Sequence, residues 1–384
     1  MLITLGGAAP PGRPLVQVLS IGGTATAGFS LAPGALFAAE LGAGASAGIR
    51  RYDVESGRVV WSVTVPHVVK HLWYDESSGL LLARAGDTAR TTVLDGADGR
   101  QLWHLGDAES SILMLAGGQV LLRGDRTGLR LVDGRTGGLI WRVPIAARAD
   151  VHYDDGAPGP PQRITVVGLD GHVLTLRYAD GARLGEGELG VPLSAETEPG
   201  SGADYAGASI VGDRLYLSRE ERGQGVLTAF RLPGLTVIWR RSGVPSGYLG
   251  DCGAVVCVTD STGVTALDPA DGSVRWSHPG WIGAVAFPGG RLMGYEGTPE
   301  QAAEVDATTG EVLRRIGPTQ WADGVELRED RTTAERVWIR RDVRGAGVAG
   351  AITTAGAYAC DVEPPYLACP TIFGATGVWR LPAT

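Results

Sequence analysis

One phrase recurs six times along this chain: an Asp or its substitute, a turn carrying Gly and, a few residues on, a Trp or its replacement. It runs from Asp53 through Gly57 to Trp61, from Asp95 through Gly99 to Trp103, and from Asp133 through Gly137 to Trp141. It returns from Leu232 through Gly234 to Trp239, from Asp268 through Gly272 to Trp276, and from Asp306 through Gly310 to Arg314. Repetition at a fixed period marks a supersecondary unit that cannot bury its apolar face alone and must stack on copies of itself. Counted from the last residue of each phrase, the steps are 42 (61 to 103), 38 (103 to 141), 98 (141 to 239), 37 (239 to 276) and 38 (276 to 314). The long step has room for two units, and a degraded copy lies inside it, from Val173 through Tyr178, Asp180 and Gly181 to Leu184.

The phrases read as strands and turns. Gly263 to Asp268 alternates apolar and polar residues as a half-buried strand does, the Asp and Gly make a tight turn, and Ser273 to Trp276 returns. Two further strands precede each hairpin, as in Ser111 to Leu115, a turn at Gly117 and Gly118, and Gln119 to Arg123. No stretch keeps a helical period over three turns. Four strands per unit at a period near forty predict an all-β, single β-propeller of four-stranded antiparallel blades. A Trp placed once per blade removes roughly 150 to 250 Å² from water, on the order of 4 to 6 kcal/mol as an upper estimate. Trp61, Trp103, Trp141, Trp239 and Trp276 are therefore read as residues that dock blade on blade.

Eight blades are expected, with seven or nine as the alternatives. The six phrases and the copy near Tyr178 give seven, and Arg336 to Arg340 with Gly347 to Ile352 adds another. The tail, Tyr366 to Cys369 and Gly377 to Leu381, has strands but no return strand after it. Pro14 to Ile21 is expected to complete that blade and close the ring, removing its free edges. Residues 14–384 are thus one propeller domain, and 384 residues suit one because small cores can be added without enlarging any of them.

The hairpin with Gly four residues before Trp, preceded by an apolar strand and an Asp, resembles the pyrroloquinoline-quinone-type repeat. That repeat builds the quinoprotein propellers and the non-catalytic bacterial propellers related to the outer-membrane assembly lipoprotein. The likeness runs from about Phe29 to Trp379 and implies the propeller fold. For activity it implies two readings: a non-catalytic scaffold that binds a protein or another envelope component, or a small quinone-dependent alcohol or sugar dehydrogenase using calcium. The chain has no adjacent Cys pair and no recognisable acidic and Asn cluster to hold calcium under a quinone, so no catalytic residue is carried over. The scaffold reading is preferred, with no cofactor and no metal expected.

Other residues bear on where such a protein works. The balance of 34 basic and 42 acidic residues, net −8, argues against non-specific nucleic-acid binding, which needs a basic footprint. Nearly every base is Arg, Lys70 being the single lysine, a skew expected of a GC-rich, actinobacterial-type genome. The four cysteines allow three connectivities. Local bridges, Cys252 with Cys257 and Cys360 with Cys369, are preferred over four free thiols in a cytosolic protein, and zinc is disfavoured by spacing and by the lack of nearby His. Such bridges imply an extracytoplasmic protein. Residues 1–13 resemble the trailing end of an apolar anchor and a Pro-rich linker, so an anchor upstream of Met1 is expected, holding the domain to the membrane.

Weaker constellations are read as structural. His67 and His71 flank Val68 to Lys70 between blades, where no helix would bring them to one face. Asp154, Asp155 and Gly156, and Asp268 with Asp271 and Gly272, sit at turns and do not extend to a calcium loop. Ser218 to Gly223 reads as a solvated hairpin tip. The longest insertions, Ala157 to Pro161 and Glu196 to Gly202, are where a partner site is expected.

Overall fold

The computed structural model describes residues 15–22, 26–42, 45–86, 90–105, 111–124, 128–146, 148–153, 160–193, 206–287, 289–297, 301–317, 320–322, 325–329, 336–340, 350–353, 360–371 and 375–381. These are strands and turns, with no helix among the described residues. They form nine four-stranded sheets. In chain order blades 1 to 8 span residues 26–65, 71–105, 111–143, 150–188, 206–242, 248–279, 281–317 and 320–353. Blade 9 joins Asp361–Glu363, Tyr366–Pro370 and Thr376–Arg380 to the N-terminal strand Val16–Ile21. The fold class is the all-β propeller of antiparallel blades. The blade count is nine, the upper of the alternatives, instead of the preferred eight. Blades 8 and 9 lack the Asp, Gly and Trp phrase, so the segments Arg336 to Ile352 and Tyr366 to Leu381 carry the weakest repeat signal although each is a full blade.

The expected pairing of the chain's two ends is present. Val16 pairs antiparallel with Arg380 and Ile21 with Thr376, with a register shift between Gln17 and Leu19. Two edges that would otherwise stand unpaired are thereby satisfied.

The chain divides into two compact units, residues 1–122, 132–138 and 319–384 in the first and 123–131 and 139–318 in the second. In each, apolar clusters lie between neighbouring blades. Phe37, Ile49, Val65 and Val69 of the first unit pack with Leu81 and Leu94, and Trp61 and Tyr74 close over them. In the second unit Tyr216, Leu227 and Trp239 pack with Val256, Val258 and Leu267. A middle strand is covered on both faces, so Ala35 to Ala39 are all buried. An outermost strand alternates, and Val59, Val60, Leu139, Val237 and Val274 remain exposed at the start of such strands. Residues 1–13, read as the end of an anchor, lie outside the described residues, and no described helix is long and apolar enough to cross a membrane.

Candidate functional site

The repeated Trp and the repeated Gly belong to each other across neighbouring blades. The indole N–H of Trp61 donates to Gly96 O at 3.1 Å, and a β-carbon on Gly99 would stand 2.7 Å from Trp61 Cε3. Each Trp therefore lies on the turn of the next unit, bonded to the carbonyl three residues before the turn glycine. The pattern holds for Trp103 with Gly134 O and Gly137, and for Trp141 with Tyr178 O and Gly181. It holds again for Trp239 with Pro269 O and Gly272, and for Trp276 with Ala307 O and Gly310. These glycines take φ between 68° and 77°, which favours Gly already, and the ring above them forbids a side chain. The sixth phrase ends in Arg314, whose Nε instead lies 3.4 Å from buried Glu304.

The Asp of each phrase builds the turn. Gly57 N donates to Asp53 O at 2.9 Å and Asp53 N to Arg58 O at 2.9 Å, closing the loop from both ends. Asp53 Oδ1 accepts from the Ser56 amide and hydroxyl, which lowers the carboxyl below the usual carboxylate range. Asp133 and Asp306 are lowered in the same manner by Thr136 and Thr309. Asp95 is lowered first by the Ala97 amide and then by Arg135, whose Nη1 reaches it at 2.8 Å from the next blade's turn. These carboxylates are acceptors already engaged. Asp268 and Asp271 are engaged likewise, accepting from the amides of Ala270 and Ser273.

In the degraded repeat the size relation is inverted. Gly185 stands where a Trp would, and the left-handed position of the following unit is held by Leu235, at φ 50°, and not by Gly234. Leu235 Cδ1 reaches within 2.7 Å of a β-carbon placed on Gly187. A small residue on one side is met by a larger one on the other, and the two blades stay in contact without the indole.

Both local cysteine pairs are bonded, Cys252 to Cys257 and Cys360 to Cys369. The first pins the hairpin that joins Tyr248–Cys252 to Val255–Asp260, and both of its sulfurs are buried in the core between blades 6 and 7. The hairpin tip is narrower than the sequence reading: only Arg222 and Gly223 make the turn, Ser218 to Glu221 belong to the paired strand with Ser218 buried, and Glu221 accepts from Arg240 at 2.7 Å. Of the loops singled out for a partner, 157–159 and 196–202 lie outside the described residues, as do Asp154, Asp155 and Gly156. Among the described residues no three His, Cys, Asp or Glu side chains converge as a cation would require.

A cleft of about 820 Å³ opens in the first unit, lined among the described residues by His67, Lys70, His71, Ala85, Gly86 and Arg90. It brings together His67 and His71, which the strand spacing had kept apart. His67 is buried, its Nδ1–H faces Val68 O at 3.3 Å, and its Nε2 lies 3.0 Å from the Thr92 hydroxyl. With a carbonyl on one nitrogen, the neutral ring accepts the Thr92 proton on the other, and burial lowers its pKa. His67 is thus a wall fixed by the protein. Lys70, His71 and Arg90 supply the polar surface.

The family model described as outer membrane protein assembly factor BamB matches residues 45–278, more than half of the chain. Among solved structures, Sqt1 from Saccharomyces cerevisiae is 9% identical, with a TM-score of 0.52 over 97% of this chain and 100% of that one. A eukaryotic initiation factor is 10% identical, with a TM-score of 0.52 over 85% of this chain and 87% of that one. BamB from Moraxella catarrhalis is 16% identical, covering 96% of this chain and 100% of its own, with a TM-score of 0.48. No curated protein sequence matches the chain.

Proposed function

The chain belongs to the family of the outer membrane protein assembly factor BamB, and on that premise we propose that it is a non-catalytic, extracytoplasmic scaffold that binds a protein of the cell envelope. The observation that carries this reading is the engagement of the repeats themselves. Each repeated Trp is bonded to its neighbouring blade and each turn Asp accepts from its own loop, so the phrases that define the family act in packing. Apolar side chains outside the phrases remain open to a partner. Trp73 in the first unit is 46% exposed, and Tyr248 in the second is 63% exposed, each on the first strand of its blade. Large aromatics are favoured anchors in protein interfaces. The two disulfides support work in an oxidising compartment.

Photo-crosslinking groups at positions 73 and 248, with residue 170 as a control, test the proposal in living cells. Discrete adducts with envelope proteins from 73 or 248, absent from 170, are expected. The alternative is tested by titrating the purified protein with the quinone and calcium in a calorimeter and assaying alcohol and sugar oxidation. Saturable heat with turnover, and no discrete adducts, would overturn the scaffold reading.

A further inference from the structure

The outermost strand of a blade offers its free edge to any strand that can pair with it, and proteins guard such edges with charge, proline or a bulge. In five blades the guard is charge: Leu139–Val143, Arg183–Glu188, Thr236–Ser242, Val274–Pro279 and Val312–Gly317 carry Arg142, Arg183, Arg240, Arg275 and Arg314. Val59–Val65, the outermost strand of blade 1, reads Val-Val-Trp-Ser-Val-Thr-Val, with no charge and no proline over 7 residues. The other uncharged outermost strands are shorter: Gln101–Leu105, Gly350–Thr353, and Val16–Ile21, which a register shift also interrupts.

Hydrogen-bond direction alternates along an antiparallel strand, and this fixes which groups face outward. Asp53 N donates to Arg58 O, so by alternation Arg51, Ile49 and Ala47 turn toward Val59–Val65, where they meet Trp61, Val63 and Val65. Ser62 and Thr64 therefore present their N–H and C=O to the free edge. Thr64 O is taken there by the Gln101 side-chain amide at 2.9 Å, and among the described residues no side chain does the same at Ser62. Val59, Val60, Ser62 and Thr64 are exposed.

We propose that a second copy of this chain pairs here, Val59–Val65 lying antiparallel to its own equivalent about a two-fold axis at Ser62. A two-fold axis sets Val59 against Val65, Val60 against Thr64, Trp61 against Val63, and Ser62 against itself. The strand is neutral throughout, so self-pairing opposes no like charges, which would destabilise it. Just beyond the match Arg58 falls opposite Pro66, where the missing N–H ends the ladder. The chain already completes one outermost edge in this manner, Val16–Ile21 joining Thr376–Arg380 from the far end of the sequence. The contact is independent of the scaffold reading, since neither Trp73 nor Tyr248 lies on this strand.

Introduced cysteines test the register. All four native cysteines are bonded, so a new thiol is the single free one. Ser62→Cys should give a covalent dimer on mild oxidation of the purified protein, its two Cα atoms standing about 5.5 Å apart across a hydrogen-bonded pair, within disulfide reach. Val60→Cys and Thr64→Cys should each stay monomeric, because each lies about 14 Å from its own copy, and should crosslink when mixed. Sedimentation velocity of the parent over about a 100-fold range of concentration should show a reversible dimer. Ser62→Lys, which sets like charges opposite each other at the axis, should weaken it by about five-fold. These positions are exposed, so an unchanged urea midpoint is expected and shows each variant folded. A parent monomeric across the whole range, or crosslinking as fast at 60 or 64 alone as at 62, would overturn the proposal. So would adducts of the Ser62→Cys protein with another envelope protein, and none with itself, in the cells that make it.

Discussion

The backbone carbonyl of Pro233 stands against Gly185, so close that a β-carbon there would lie 2.2 Å from it. Gly185 holds the place that Trp141 holds one blade earlier, four residues after a turn glycine. Gly185→Trp would restore the repeat's usual residue and is nonetheless expected to destabilise the second unit by about 3 kcal/mol or more, because a backbone carbonyl cannot move aside as a side chain can. Urea unfolding checks this. A gain in stability would mean that the indole finds its usual seat there.

Gly310 carries the converse constraint. Its φ is 74°, and a β-carbon would lie 2.5 Å from Cγ of Trp276 and 2.8 Å from Cδ2, atoms at the root of a packed ring. Gly310→Ala should cost about 2 to 4 kcal/mol in urea unfolding. Gly212→Ala, at φ 58° with nothing within 4 Å, carries only the backbone strain and should cost about 1 kcal/mol.

These two glycines show what the repeat phrase disclosed and what it withheld. The Asp, Gly and Trp were legible as a turn with a buried ring because their spacing and φ preferences are local. That each Gly serves the Trp of the previous blade was not legible, since the partners lie about forty residues apart in separate copies of the phrase. The Leu232 to Trp239 copy was aligned on Gly234, whereas Leu235 takes the left-handed position; a Leu there violates the local rule that guides such an alignment. The cleft escaped for a different reason. His67, Lys70, Gly86 and Arg90 come from two connections between strands, with no common spacing, and only packing brings them together.

His67 makes stability depend on pH. Burial lowers its folded pKa below the ordinary 6.5, so the unfolded chain takes the proton first. Stability is therefore full above about pH 6.5 and declines as the pH falls from there toward the folded value. Thermal unfolding between pH 7.5 and pH 5 should show that decline, and His67→Gln should flatten it. A variant that keeps the parent's slope would place the responsible proton elsewhere, the half-buried His152 being the other imidazole lowered by desolvation.

The disulfides should matter through the loops they close. Cys252 and Cys257 are 5 apart in sequence and Cys360 and Cys369 are 9 apart. Loops this short give about 2 to 3 kcal/mol each in the chain-entropy picture. Reduction should lower the urea midpoint accordingly, and the paired Cys252→Ala and Cys257→Ala protein should lose only its own share. An unchanged midpoint on reduction would contradict a stabilising role for the two bridges.

Exchange of indole protons tests most directly whether the repeats exist to dock one blade on the next. In uniformly ¹⁵N-labelled protein, the side-chain N–H groups of Trp61, Trp103, Trp141, Trp239 and Trp276 are each bonded to a neighbouring blade's carbonyl. Exposed Trp73 provides the comparison. Once assigned by Trp→Phe substitution, all five should exchange with deuterium far more slowly than Trp73, and only through unfolding of the blades that hold them. Five signals lost as fast as that of Trp73 in the folded protein would contradict the account.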